Sequence, residues 1–232
     1  MDKRAVLLLS GGLDSAVALW WARAEGYEVL PLTYHYYRRP RAEVAAMRRQ
    51  LDRLSISPLR EIDLPFLKDI EDLQRTEKEV SPLLAKSPDG YIPARNMVFY
   101  ALAAYQAEVE GATWVIGGHN GGDPETFPDS SPRFFNRLND LYRLGIWSYG
   151  TSPVRVIQPL SGKDKATVVR LGAELGVPFE DTWSCYWDGE EHCGSCPSCL
   201  ERQEAFGKDG TTDRVRFRRV RAERPVADAK PL

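Results

Sequence analysis

The stretch AVLLLSGGLDSAVAL, residues Ala5–Leu19, decides how the chain is read. Five unpunctuated apolar residues suit a strand buried on both faces, and from Asp14 the apolar spacing turns helical. A strand, a glycine turn and a helix N-terminus together make a place to hold an anion. Gly11 and Gly12 let the backbone approach a ligand closely. Their amides, with those of Asp14 and Ser15, can form a concave nest, and the Ser10 and Ser15 hydroxyls add two donors. No Gly-Lys-[Ser/Thr] follows, so this is not a Walker loop, and no third glycine makes a dinucleotide fingerprint. On spacing alone, a plain turn capped by Asp14 or Ser15 remains the alternative.

Working outward, apolar runs alternate with helical periodicity. Strands are expected at 5–9, 28–34, 59–64, 113–117 and 154–158, and helices at 14–26, 41–54, 96–111, 132–144 and 163–176. This βαβα rhythm predicts an α/β fold, a doubly wound, mostly parallel sheet of Rossmann-like, adenine-nucleotide hydrolase-like character. Residues 65–95 read as a long loop with one short helix. The expected division is an α/β domain over 1–178, a cysteine segment packed on it over 179–210 and an arginine-rich tail over 211–232. That tail carries six arginines between Arg214 and Arg224 and reads as an exposed strand or extended arm.

With 232 residues and a formal net charge of −2, the chain exerts no global attraction for nucleic acid or anionic membrane. No apolar run approaches the ~20 residues a membrane span needs. MDKRAVLLLSGG meets glycine too soon for a signal peptide, so a cytoplasmic protein with reduced thiols is expected. Cys185, Cys193, Cys196 and Cys199 fall as C-x7-C-x2-C-x2-C, which lets four thiolates reach one tetrahedral ion. One structural Zn2+ per chain is the expectation, and an iron–sulfur cluster the alternative. His192 lies inside the cluster and reads as a neighbour of the site rather than a ligand.

The loop Ser10-Gly11-Gly12-Leu13-Asp14-Ser15 after an N-terminal strand resembles the SGGxDS loop of the PP-loop ATP pyrophosphatases. The segment Thr182–Arg202, led by Leu175-Gly176-Val177-Pro178, narrows the resemblance to the QueC, or 7-cyano-7-deazaguanine (preQ0) synthase, family. Tyr91-Ile92-Pro93-Ala94-Arg95-Asn96 is similar to that family's V-P-G-R-N block. Gly117-Gly118, Asp123 and Phe127-Pro128-Asp129 are similar to its G…D…Y-P-D run. Pro159-Leu160 and Lys165 precede Val168-Val169-Arg170-Leu171-Gly172 as in its P-L…K-A-x-I-V-x-L-G segment.

The resemblance implies a ligase of queuosine biosynthesis. ATP with Mg2+ adenylates 7-carboxy-7-deazaguanine, ammonia gives the amide, and a second adenylation drives dehydration to the nitrile, preQ0. It assigns ATP to Leu8, Leu9, the loop residues Ser10, Gly11, Gly12, Leu13, Asp14 and Ser15, and to Arg95 and Lys165. Ser10, Asp14 and Lys165 are the expected catalytic residues, and Asp123, Phe127, Asp129 and Arg38 the expected substrate contacts. A homodimer is a further implication.

The chain also departs from the pattern. His35-Tyr36-Tyr37-Arg38-Arg39-Pro40 stands where the family carries a D-Y-G-Q-R-H-like stretch, Ser130-Ser131 replace Cys-Arg, and Ala94 replaces a glycine. These changes leave open a divergent enzyme that stops at the amide or joins the activated carboxylate to another amine, including one on a partner protein. A PP-loop tRNA-modifying enzyme is the remaining alternative. It would need a basic RNA-binding face, which only the arginine-rich tail offers.

Overall fold

A strand that is apolar without alternation can bury both faces, and β1 (Arg4–Leu8) does so, with Ala5, Val6 and Leu7 fully buried. The computed structural model describes residues 3–88, 90–122 and 127–218. Within it β1 is the centre of a five-stranded parallel sheet of order β3-β2-β1-β4-β5. The other strands are β2 (Glu28–Tyr36), β3 (Arg60–Leu64), β4 (Trp114–Ile116) and β5 (Arg155–Ile157). This is the doubly wound sheet expected.

The period of two along β1 divides the core. Ala5 and Leu7 meet Ala18 and Leu19 of α1 (Leu13–Ala24) and Met47 and Leu51 of α2 (Arg41–Leu54). After α3 (Ile70–Thr76), the one short α-helix in the long 65–95 connection, come α4 (Arg95–Glu110) and α5 (Pro132–Gly145). Val6 faces these two helices through Tyr100 and Phe135. The chain adds β2 and β3 on one side of β1 and then returns to place β4 and β5 on the other. The order therefore reverses between β1 and β4, and the carboxyl ends of those two strands open the crevice where such sheets hold ligands.

A third core joins α1 to α6 (Lys165–Glu174) and α7 (Pro197–Asp209), through Leu13, Val17, Val169, Ala205 and Phe206. Helix α7 stands beyond the expected elements. Its first turn lies within the cysteine motif, with Cys196 as N-cap residue and Pro197 at the first helical position. Arg202 on α7 is fully buried, its guanidinium donating to both Asp213 oxygens, Thr182 Oγ1, Ser184 Oγ and Phe179 O. Of the arginine-rich tail, residues 216–218 pair with His192: the His192 amide donates to Arg216 O and the Arg218 amide to His192 O. Residues 219–232 lie outside the described residues. No helix among the described residues is long and apolar enough to cross a membrane.

Candidate active site and metal centre

The turn after β1 ends on Gly12, the N-cap residue of α1, which offers no side chain to the first-turn amides. Those amides and the positive end of the helix dipole are left for a ligand. The two serines expected as donors interlock: Ser15 Oγ accepts from the Ser10 and Gly11 amides, both 3.3 Å, and donates to Gly12 O at 3.0 Å. Ser10 Oγ accepts from the Gly12 amide at 3.0 Å. The hydroxyls thus occupy amide donors that a phosphate would take over.

Lys165, the first residue of α6, reaches the loop from the opposite wall. Its Nζ lies 2.6 Å from Asp14 Oδ2 and 3.2 Å from Glu201 Oε2 on α7. Burial alone would lower this ammonium, but the two carboxylates outweigh it and raise it, so Lys165 is a fixed cation. Asp14 Oδ1 is buried and has no hydrogen-bond partner among the described residues. Across the crevice, a Cβ added at Gly118 would lie 3.1 Å from the Asp14 backbone, so the turn after β4 is pressed against the start of α1.

The resulting cavity, about 280 Å3, is lined by Leu8, Leu9, Ser10, Gly12, Asp14 and Ser15 from the β1–α1 junction, and by Arg95 from α4. Gly11 and Leu13 belong to the same loop, and Lys165 touches it through Asp14. Sequence reasoning missed several other wall residues, namely Tyr36, Arg39, Glu43, Asn96, Tyr100 and His119. His119 follows two glycines at the carboxyl end of β4, a position that could have marked it. Its ring lies 5.2 Å from Phe135 and 5.9 Å from Tyr100.

The expected substrate contacts scatter. Phe127 stacks at 6.4 Å on Tyr91 and lies 6.0 Å from the Arg95 guanidinium. Asp129 Oδ2 accepts from the Asn96 amide at 3.1 Å, so it caps the first turn of α4 beside Arg95. Ala94, just ahead, holds φ of 54°, a left-handed conformation that a glycine would adopt more cheaply. Arg38 is not brought into this cavity. It pairs with Asp72 at 3.1 Å and lines a second cavity of about 440 Å3, separated from the first by the shared residues Tyr36 and Arg39. Asp123 lies outside the described residues. Ser130 and Ser131 act locally: Ser130 Oγ donates to Phe127 O, and Ser131 Oγ caps α5 at the Phe134 amide.

The four cysteine sulfurs all lie within 4.8 Å of one another. A tetrahedron of ~2.3 Å metal–sulfur bonds has edges of about 3.8 Å, so the cluster fits a single ion. An iron–sulfur cluster, with several irons between its cysteines, needs a wider spread. Burial pushes the Cys185 thiol up to about 11 and raises Cys199 as well. Burial would also raise Cys193, but the Ser195 and Cys196 amides outweigh it and draw that thiol down to about 6. Four sulfurs gathered this closely are the donor set of a cation site. His192 is buried beside them rather than among them. Its Nε2 accepts from the Ser184 amide at 3.1 Å and its ring lies 4.3 Å from Trp183.

Residues 4–210 match the family model described as Queuosine biosynthesis protein QueC. A 7-cyano-7-deazaguanine synthase of Thermoplasma acidophilum is 36% identical over 221 residues, covering 93% of this chain and 92% of that protein. One of Campylobacter curvus is 34% identical over 223 residues, covering 93% and 98%. Among solved structures, NMN synthetase from Francisella tularensis shares the fold, with a TM-score of 0.51 and 18% identity over 91% of this chain and 78% of that one.

Proposed function

The chain belongs to the QueC family, and on that footing we propose that it uses ATP to activate a 7-deazaguanine carboxylate and converts it, with ammonia, to 7-cyano-7-deazaguanine. The observation that carries this reading is that Lys165 pairs with Asp14 of the amide-lined loop, and that Asp14 and Arg95 line one cavity. A carboxylate is a poor electrophile, and joining its oxygen to AMP supplies a leaving group. The substrate oxygen attacks the α-phosphorus and pyrophosphate departs. Ammonia then displaces AMP to give the amide. The amide oxygen attacks the α-phosphorus of a second ATP, expelling pyrophosphate, and loss of AMP and of both amide protons leaves the nitrile.

Each step builds charge on phosphate oxygens, so the protein's work is electrostatic. The Ser10–Ser15 amides and hydroxyls hold the β,γ-pyrophosphate, and Lys165 compensates its charge. Asp14, through its unpartnered oxygen, would hold the Mg2+ that accompanies ATP. Arg95 offers a planar fork for a phosphate or the substrate carboxylate. The four cysteines would hold one Zn2+, whose closed thiolate shell leaves no position open for catalysis.

A second reading has its own support. Arg38 pairs with Asp72 and lines a different cavity, Ser130 Oγ donates to Phe127 O and Ser131 caps a helix, so none of these departures touches the loop that holds Asp14. An enzyme that stops at the amide, or passes the acyl group to another amine, fits those departures. The family match favours both readings over tRNA modification.

The test is incubation with ATP, Mg2+, 7-carboxy-7-deazaguanine and ammonium, with products identified by mass spectrometry and Lys165→Met as the control. Nitrile is the expected product. Amide or acyl adenylate alone would establish the second reading, and no AMP from the wild type would refute both.

A further inference from the structure

Arg39 lies at the end of β2, after left-handed Arg38, and its side chain is only 4% exposed. Its Nε donates to Glu43 Oε2 at 2.9 Å, its Nη1 to Thr33 Oγ1 and Tyr34 O at 2.8 Å each, and its Nη2 to Ser10 O. One guanidinium therefore ties together the ends of β1 and β2 and the start of α2. The next carbonyl of the loop, Gly11 O, is held from the same side by Gln50 Nε2 at 3.2 Å and the Trp183 amide at 3.0 Å. In a trans peptide the C=O and the following N–H point in opposite directions. Drawing the Ser10 and Gly11 carbonyls to the rear turns the Gly11 and Gly12 amides to the front, where Ser15 Oγ and Ser10 Oγ now accept from them. These two acceptors lie 3.1 Å apart, so two successive amides point at adjacent oxygens, as they do in an anion nest.

We infer that Arg39, in the wall beside the loop, is a positioning residue that aims the phosphate-holding amides by holding the loop's carbonyl, with Glu43 cancelling its charge so that it contributes geometry rather than attraction. Burial raises the Glu43 carboxyl and the Arg39 guanidinium opposes this, as befits a pair held out of water. The inference rests on the reading of the loop as the ATP site. It assigns a role to Arg39, which lies in the His35–Pro40 stretch that departs from the family pattern.

The decisive variant is the double substitution R39M/E43L, because exchanging a buried ion pair for apolar residues of similar volume is often neutral for stability. Here, however, Thr33 Oγ1, Tyr34 O and Ser10 O lose a donor, so the variant's Tm should fall; at a temperature where both proteins are folded, its Kd for ATP, measured by calorimetry, weakens about ten-fold or more and that for 7-carboxy-7-deazaguanine is unchanged. ATP affinity within two-fold of wild type in the folded double variant would overturn the inference. If the double variant does not fold, Arg39→Lys decides. Lysine keeps the charge but cannot span all four acceptors, so ATP should bind several-fold more weakly with kcat largely retained, whereas wild-type affinity would overturn the inference. Failure of the wild type itself to bind ATP would instead refute the reading on which the inference rests.

Discussion

Replacing Gly11 with alanine tests how tightly the loop is seated. Gly11 has φ of +104°, and a Cβ built there would lie 2.1 Å from Glu43 O and 2.9 Å from Met47 N. Both are backbone atoms of α2, so no side-chain rotation relieves the clash. A strained backbone costs about 1–3 kcal/mol and overpacking about 1–3 kcal/mol, together about 2–6 kcal/mol. At about 2–4 °C per kcal/mol for a chain of this size, thermal unfolding followed by circular dichroism should show Tm lowered by about 4–24 °C. Gly26→Ala is the internal control. Gly26 also has positive φ, +78°, but nothing lies within 4 Å of its added Cβ, so only the backbone term applies. The excess loss at Gly11 measures the contact with α2. Equal Tm values for the two variants would refute the argument that the loop is pressed against that helix.

Two further outcomes are expected. Elemental analysis of the purified protein should give one zinc per chain, and Cys199→Ser should lose the metal and lower Tm together; stoichiometric iron would overturn the single-ion assignment. Asp164 caps α6 through the Thr167 amide at 2.8 Å, and that bond holds its carboxyl below the ordinary value. A depressed folded pKa means the stabilisation is full above the unfolded value of about 4 and is lost as pH falls through the folded one. The gap in urea midpoint between wild type and Asp164→Asn should therefore close on acidification from about pH 6 to about pH 3, and a constant gap would refute the assignment.

The unbroken apolar run of β1 and the glycine that closes α4 announced those elements, because strand burial and C-cap geometry are written in consecutive residues. The SGGxDS loop and the cysteine spacing were legible for the same reason. Helix α7 was not, because its first turn is occupied by the cysteine motif and its buried face includes Cys199 and the charged Arg202. Arg39 and Glu43 stand four residues apart, a spacing that pairs side chains within a helix. Here the pair straddles the entry to α2, and its purpose appears only when Ser10 arrives from 29 residues away. Arg38 illustrates the converse. The resemblance made it an expected substrate contact; the structure pairs it with Asp72 beside a second cavity, a placement set by a residue 34 positions away that no local pattern shows.

The contact between Gly11 and Trp183 has a consequence for how the protein comes into being. Chains emerge from the ribosome N-terminus first and fold as their parts become available. The phosphate loop is made before the residues that complete it: its Gly11 carbonyl is fixed by Trp183, and its aspartate is paired with Lys165, 151 residues further along. A growing chain therefore carries this loop before Lys165 and Trp183 exist to hold it, and the loop takes its final form only once both have been added.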